Sequence, residues 1–111
     1  MQTINADIVI IGAGSGGLSL AAGAAQMGAH VVMFEGGEMG GDCLNTGCVP
    51  SKALLAASKA AYNARSKANF GVRVADTKID FATAKKYVDS VIAKIAPHDS
   101  VSRFTSLGVT V

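Results

Sequence analysis

The chain has 111 residues, half of them apolar, with few aromatic side chains, 13 glycines and 2 prolines. This length permits one small domain, whose core must be built mainly from Ala, Val, Ile and Leu. A net charge of +2 without a basic cluster gives nucleic-acid binding no electrostatic support, so no nucleic-acid partner is predicted.

The segment from Ile8 to Phe34 contains no Asp, Glu, Lys or Arg, which is typical of a membrane span or a signal peptide. However, glycines and polar residues interrupt it, and no basic residue precedes it. A buried β-α-β unit explains the same apolarity better, because its strands are covered on both faces. We therefore expect no membrane partner, and we expect a cytoplasmic protein because nothing indicates secretion.

The first elements along the chain form such a unit. Ile8–Ile11 is a short β-branched strand, residues 12–17 form a glycine-rich turn, and residues 18–27 form an Ala-rich helix. A second strand is predicted over residues 30–34. Two strands joined by one helix should be parallel, with a right-handed crossover.

Three glycines of the turn, Gly12, Gly14 and Gly17, fit the pattern G-x-G-x-x-G. Gly12 permits the tight turn, Gly14 lets a pyrophosphate approach the backbone, and Gly17 lets the helix pack close to the strand. The pattern by itself also fits a glycine-rich turn that binds nothing, and it does not choose between FAD and NAD(P).

The surroundings of the turn favour nucleotide binding. Free N–H groups at the start of the helix, around Ser15 and Gly16, are placed to hold an anion. Glu35 follows the second strand, where a carboxylate can accept hydrogen bonds from both ribose hydroxyls of an adenosine. Strand, turn, helix, strand and acid all occur in the required order.

The next segment, GGDCLNTGCVPSK, holds both cysteines of the chain, Cys43 and Cys48. They could form a structural disulfide, but that is typical of secreted chains. A structural zinc site needs about four ligands, whereas His30 and His98 are remote in sequence, so no metal is predicted. Two packed thiols remain possible, and so does a redox couple.

Spacing favours the redox couple. In a regular helix, positions five apart are separated by about 7.5 Å along the axis, whereas a disulfide requires Cα atoms within about 6.8 Å. Gly47, together with Asn45 and Thr46, supplies a place where the chain can bend. A disulfide formed between Cys43 and Cys48 across that bend should be more easily reduced than a structural one.

A helix is predicted to begin at Gly47 or Cys48, which places Pro50 in its first turn, where the missing N–H has no cost. Cys48 then lies near the positive end of the helix dipole, which stabilises a thiolate. Lys52 follows four residues later on the same face. That face therefore offers a thiolate and a cation to an electron-transfer partner.

The segment GGDCLNTGCVPSK, preceded by G-x-G-x-x-G and Glu35, resembles the active-site region of the flavin-dependent pyridine nucleotide–disulfide oxidoreductases. Within that family, CVPSKALL is most similar to dihydrolipoamide dehydrogenases. Mercuric reductases share C-V-P-S-K, and glutathione reductases more often have Lys in place of Ser51. The resemblance implies electron transfer between NAD(P)(H), FAD and a Cys43–Cys48 disulfide, with a dithiol or disulfide substrate such as dihydrolipoamide.

The resemblance also implies where FAD binds. The glycine turn and Glu35 would bind its ADP half, and Gly41 and Asp42 would lie along its pyrophosphate and ribityl chain. Lys52 would lie beside the flavin N5 edge. The family usually has Thr in place of Asp42, so this chain adds a negative charge beside Cys43 and lacks that hydroxyl group.

The two cysteines have different roles in the family. By resemblance, Cys48, at the helix start, is the thiol nearest the flavin. Cys43, predicted to lie in the preceding bend, is the interchange thiol that attacks the substrate. Their acid–base partner is a His–Glu pair that the family's C-terminal dimerisation domain supplies across the subunit interface.

The remaining chain predicts a helical hairpin. Residues 52–68 are rich in helix formers, and residues 81–96 show helical spacing of apolar side chains up to Pro97. The connector between them includes a possible extended piece over residues 72–74. A short helix follows, with Asp99 or Ser100 as N-cap and Gly108 as stop, and VTV begins another strand.

The predicted fold class is α/β: a Rossmann-like FAD-binding β-α-β unit with parallel strands, followed by a helical hairpin, in an incomplete domain. By resemblance, residues 1–111 are the N-terminal part of an FAD-binding domain. The rest of that domain, the NAD(P) domain and the dimerisation domain would be absent. We expect a homodimer at full length and no activity from these residues alone. The alternative is a non-catalytic FAD- or nucleotide-binding module.

Overall fold

The computed structural model describes residues 3–66 and 70–111, which form two strands, five α-helices and a short 3-10 helix. In chain order the elements are β1 (Ile8–Ile11), α1 (Ser15–Gln26), β2 (Val31–Phe34), α2 (Gly41–Asn45), α3 (Cys48–Ser66), α4 (Phe81–Ile95), the 3-10 helix (Ala96–Asp99) and α5 (Val101–Ser106).

The two strands form a parallel sheet in which Ile8 lies opposite Val31, as the β-α-β pattern predicts. Thr110 pairs with Val32 on the other side of β2, in a single parallel bridge. The Met33 N–H donates to the Thr110 carbonyl at 2.8 Å. β2 is therefore the middle of three extended segments, and the predicted C-terminal strand is present as this one bridge.

The core lies where α1 and α5 pack on one face of the sheet. The buried side chains of this core are Ile10, Ala13, Leu18, Ala21, Val31, Met33, Phe104 and Val109. Small residues on α1 let the helix approach the strands closely.

The opposite face of β1 is open among the described residues. Val9 is 58% exposed and Ile11 is 88% exposed. The prediction that both faces of the strands are covered is therefore wrong for β1. The reason is that Val9 and Ile11 point away from α1, and no described element packs on that side. This open face agrees with an incomplete domain.

The helical hairpin consists of α3 and α4, which pack against each other along their length. Asp80 caps α4 by accepting hydrogen bonds from the backbone N–H groups of Ala82 at 3.0 Å and Thr83 at 3.3 Å. Residues 72–74 are not a strand, because they have no neighbouring strand to pair with among the described residues. The predicted extension of the first helix through residues 67 and 68 lies outside the described residues.

Several helix boundaries differ from prediction by a few residues. α1 begins at Ser15, three residues early, because extended backbone at Gly14 already serves as its N-cap. Ser100, not Asp99, caps α5: its hydroxyl accepts from the Arg103 N–H at 3.3 Å. Pro97 does not end α4 directly but lies in the 3-10 helix that follows it.

Of the helices in the described part of the chain, none is both long and apolar enough to cross a membrane.

Candidate functional site

The glycine turn between β1 and α1 has the shape that its sequence predicts. Gly12 has a φ of +101°, and its N–H donates to the Phe34 carbonyl at 2.7 Å. A Cβ on Gly17 would overlap the Gly12 carbonyl oxygen, so glycine is required for the close approach of α1 to β1. A Cβ on Gly14 or Gly16 would meet no atom within 4 Å. The side of the turn next to those two glycines is therefore open to a ligand.

Ser15 and Gly16 form the first turn of α1, as the site prediction requires. N–H groups at a helix start have no partner within the helix, and the helix dipole makes this end positive. No acidic residue lies in that first turn. The arrangement favours an anion beside the glycine turn.

Glu35 follows β2 and reaches the turn. Its Oε2 accepts a hydrogen bond from the Ala13 N–H at 2.6 Å, and its Oε1 accepts one from the Gly37 N–H at 2.7 Å. These backbone donors, Ala13 first, hold the pKa of Glu35 below its usual range, so the side chain is a carboxylate at neutral pH. A carboxylate has about four acceptor sites. Those left over can accept hydrogen bonds from a pair of hydroxyls.

The start of the segment that contains the cysteines packs against the glycine turn in space. The Gly40 N–H donates to the Ala13 carbonyl at 2.9 Å. A Cβ on Gly41 would lie 2.8 Å from the Cα of Gly14, so the two backbones are in contact. Gly41 and the exposed Asp42 form the first turn of α2, beside the open side of the turn. The structure thus brings both predicted contact residues to the candidate nucleotide site.

Cys43 lies within α2, and the prediction that it lies in a bend is wrong. The bend is at Thr46 and Gly47, between α2 and α3. A Cβ on Gly47 would lie 2.8 Å from the Asp42 carbonyl oxygen, so this close turn requires glycine. The Asn45 amide closes α2 by donating to the Gly41 carbonyl at 2.9 Å. The sequence signal for α2 was weak, because Asp42 in its first turn is the one feature that favours a helix start there.

α3 begins at Cys48, as predicted, with Pro50 in its first turn. The Ser51 N–H donates to the Gly47 carbonyl at 3.0 Å, which closes the first helical hydrogen bond. Cys48 and Lys52 are both exposed, and they are four residues apart on one face. An apolar groove of about 320 Å³ adjoins both side chains and is bounded on α4 by Tyr87.

The two thiols meet across the break between α2 and α3. Both are free, with Cys43 half-buried and Cys48 exposed. A hydrogen bond with the Cys48 side chain is the main cause that raises the pKa of Cys43. Partial burial and the charge of Cys48 act in the same direction. The Cys48 N–H and the nearby Lys52 ammonium oppose this effect. At neutral pH Cys43 therefore keeps its proton and is placed next to the second sulfur.

Sequence reasoning missed two residues that hold this arrangement, Ala13 and Gly40. Ala13 is fully buried, and Gly40 is buried with a φ of +90°. Their hydrogen bond joins residues that are 27 positions apart in the sequence. The Gly-Gly doublet before Asp42 was the available signal, because a glycine pair often marks a tight turn or close backbone approach.

Within residues 3–66 and 70–111, no three His, Cys, Asp or Glu side chains cluster as a metal site would require.

The chain combines a parallel β-α-β unit, an open glycine turn, and two thiols on a segment that packs against that turn. These features are typical of a nucleotide-binding redox fold. The sequence model of the pyridine nucleotide-disulphide oxidoreductases matches residues 6–101. Because this match covers most of the chain, the chain belongs to that family. Members of the family are FAD-dependent oxidoreductases that also use a pyridine nucleotide.

Individual relatives agree with the family match. The dihydrolipoyl dehydrogenase of Geobacillus stearothermophilus is 40% identical over 92 residues, which is 83% of this chain and 20% of that protein. The dihydrolipoyl dehydrogenase of Staphylococcus aureus is 42% identical over 92 residues, with the same coverage. The mercuric reductase of Streptomyces lividans is 40% identical over 90 residues, which is 80% of this chain and 19% of that protein. The chain thus spans about a fifth of the length of these relatives.

Proposed function

We propose that residues 1–111 are the N-terminal part of the FAD-binding domain of a dihydrolipoyl dehydrogenase-like enzyme. The observation that carries the proposal is the placement of Cys43 in α2 and Cys48 at the start of α3, on a segment whose first residues, Gly40 and Gly41, lie against the open glycine turn. In this proposal electrons pass between NAD(P)(H), FAD, the cysteine pair and a dithiol or disulfide substrate. NAD(P) would bind to a part of the protein outside these residues.

The residues present fit FAD. The open space beside Gly14 and Gly16 suits a diphosphate, and the free acceptor sites of Glu35 suit the two ribose hydroxyls. Gly41 would let the diphosphate and ribityl chain pass close to the backbone, and Lys52 would lie near the redox end of the cofactor. Asp42 is the exception, because a carboxylate beside a diphosphate is repelled. FAD, when bound, supplies a two-electron carrier between the nicotinamide and the thiols.

The thiols would carry out disulfide exchange in two balanced steps. The Cys43 sulfur attacks one sulfur of the substrate disulfide, forms a mixed disulfide and releases the other sulfur as a thiolate. The Cys48 thiolate then attacks the Cys43 sulfur, which forms the Cys43–Cys48 disulfide and releases the second substrate thiol. The substrate gains two electrons and the cysteine pair loses two. Oxidation of dihydrolipoamide is the same sequence in reverse.

The raised pKa of Cys43 adds a requirement to this scheme. A protonated thiol is a poor nucleophile, so a base must take the Cys43 proton before attack. The family resemblance assigns that role to a His–Glu pair of the dimerisation domain. A homodimer at full length is therefore part of the proposal. A cytoplasmic location is also part of the proposal, because structural disulfides are typical of secreted chains and this cysteine pair is proposed to be a redox couple.

A second candidate activity is reduction of Hg(II). It is favoured by the mercuric reductase of Streptomyces lividans, whose identity to this chain equals that of the Geobacillus dihydrolipoyl dehydrogenase at 40%. Two neighbouring thiols, when reduced, also suit a soft metal ion. The two candidates share FAD, NAD(P) and the cysteine pair, and they differ in the substrate.

The test is a steady-state assay of the purified full-length protein with NADH or NADPH, using lipoamide or Hg(II) as acceptor. The proposal expects bound flavin and lipoamide reduction that Cys43→Ser and Cys48→Ser each abolish. Preference for Hg(II) would instead support the second candidate. Bound flavin with neither activity would identify a non-catalytic flavin-binding module and overturn both.

A further inference from the structure

One peptide unit joins the candidate nucleotide site to the segment that carries the redox thiols. Ala13 is fully buried, and both of its polar backbone atoms are used. Its N–H donates to Glu35 Oε2 at 2.6 Å, and its carbonyl accepts from the Gly40 N–H at 2.9 Å. A continuous hydrogen-bonded path therefore runs from the Glu35 carboxylate to Gly40.

The path continues into α2 through the backbone. The Gly40 carbonyl accepts from the N–H of the buried Leu44 at 3.4 Å, within the first turn of α2. Gly41 contacts Gly14, so the start of α2 has little room to move relative to the glycine turn. Cys43 lies in this same first turn. Its position against the neighbouring thiol therefore depends on where Gly40 and Gly41 are held.

The Glu35 carboxylate also holds the loop that leads into α2. Its Oε1 accepts from the Gly37 N–H at 2.7 Å, three residues before Gly40. A single side chain thus fixes the glycine turn through Ala13 and the approach to α2 through Gly37. Loss of the two hydrogen bonds that Glu35 accepts would therefore loosen both Ala13, which binds Gly40, and the loop at Gly37, which leads to Gly40.

We propose that Glu35 is a positioning residue for the redox thiols, in addition to its candidate role as a ribose ligand. Through Ala13 and Gly40, its carboxylate fixes the start of α2 and so places Cys43 against Cys48. This role differs from ribose binding, because it operates whether or not a nucleotide is bound.

The test compares Glu35→Gln and Glu35→Ala with a charge-matched control, Glu38→Gln. Glu38 lies in the same loop and is exposed, and within the described residues its carboxylate makes no hydrogen bond. Gln keeps one acceptor oxygen and can retain one of the two hydrogen bonds, so Glu35→Gln is expected to fold. Each variant is studied in the full-length protein as purified and again after flavin removal.

Two measurements report on the positioning role. Amide hydrogen exchange at Gly40 should become about fivefold faster in Glu35→Gln, the change expected from loss of one ordinary hydrogen bond, and faster still in Glu35→Ala. The ratio of Cys43 to Cys48 alkylation by iodoacetamide should change in the same order. Glu38→Gln should match the wild-type protein in both measurements, with and without flavin.

Three outcomes would overturn the proposal. If the Glu35 variants lose flavin but keep wild-type Gly40 exchange and alkylation after flavin removal, Glu35 acts at the ribose alone. If Glu38→Gln changes both measurements as much as Glu35→Gln, the effect is one of loop charge. If exchange changes but alkylation does not, the path ends before Cys43. None of these measurements requires flavin, so they stand apart from the proposed activity.

Discussion

The Cys43 thiol contacts the Cys48 thiol across the break between α2 and α3, and their hydrogen bond raises the pKa of Cys43. The hydrogen bond stabilises the protonated form of Cys43, and the negative charge of Cys48 disfavours a second thiolate beside it. The two sulfurs therefore differ in reactivity although they belong to one site.

Removal of Cys48 should make Cys43 more reactive at neutral pH. In Cys48→Ala the hydrogen bond and the neighbouring charge are both lost, so the pKa of Cys43 should fall and its thiolate fraction should rise. The measurement is the iodoacetamide alkylation rate of Cys43 between pH 6 and 10. The midpoint of the profile should move to lower pH than in the reduced wild-type protein.

Lys52→Gln provides the comparison of opposite sign, because the Lys52 charge lowers the pKa of Cys43. In that variant the midpoint should move to higher pH. A shift in the same direction for Cys48→Ala and Lys52→Gln would show that the charges named here do not control Cys43.

Gly17→Ala should destabilise the fold, whereas Gly16→Ala should not. A Cβ on Gly17 would overlap the Gly12 carbonyl oxygen, and such overpacking costs about 1–3 kcal/mol of unfolding free energy. A Cβ on Gly16 would meet no atom within 4 Å, and Ala within a helix is favoured over Gly by roughly 0.5–1 kcal/mol. Urea unfolding of both variants measures the difference. Equal stabilities would contradict the close packing of α1 on β1.

Gly47→Ala should impair formation of the Cys43–Cys48 disulfide. A Cβ at this position would lie 2.8 Å from the Asp42 carbonyl oxygen, so α3 must shift away from α2. Thiol titration of the denatured protein, before and after mild oxidation, should show slower loss of the two thiols than in wild type. Gly23→Ala is the matched control, because its Cβ would meet no atom within 4 Å. Two free thiols in fully oxidised wild-type protein would contradict the redox couple itself.

Gly14→Val should deplete flavin without preventing folding. The space beside Gly14 is open in the structure, so the larger side chain fits there but fills the volume proposed for the diphosphate. The ratio of flavin to protein in the purified full-length variant should fall, while its circular dichroism spectrum stays like that of wild type. Undiminished flavin would show that this turn does not bind the cofactor.

Cys43→Ser and Cys48→Ser should separate the roles of the two thiols. In the full-length Cys43→Ser protein, Cys48 is left as the one free thiol near the start of α3, where the helix dipole and Lys52 favour negative charge. Long-wavelength charge-transfer absorbance should therefore appear with oxidised flavin. Cys48→Ser should lack the band. A band in Cys48→Ser alone would reverse the two roles.

Local patterns in the sequence were enough to predict much of this protein. The β-branched run at β1 predicts a strand, and Pro50 predicts the helix that begins at Cys48. Ser100 was one of two predicted caps for α5. Each of these features depends on the conformational preferences of a few neighbouring residues. The glycine spacing likewise predicts the β-α-β turn, because Gly12 adopts a positive φ, Gly14 leaves room for a ligand, and Gly17 lets α1 pack closely on β1.

Contacts between distant segments decided the rest. Nothing near Ala13 in the sequence indicates that its peptide joins Glu35 to Gly40, because its partners lie 22 and 27 residues away. Cys43 lies in a helix and not in a bend because two contacts fix α2. Gly41 in its first turn contacts Gly14, and the side chain of Leu44 is buried. Likewise, the exposure of Ile11 depends on which elements pack against β1. The sequence by itself determined the chemical groups and their order along the chain. Their distances within the site were decided by the tertiary structure, because hydrogen bonds and packing between remote segments set them.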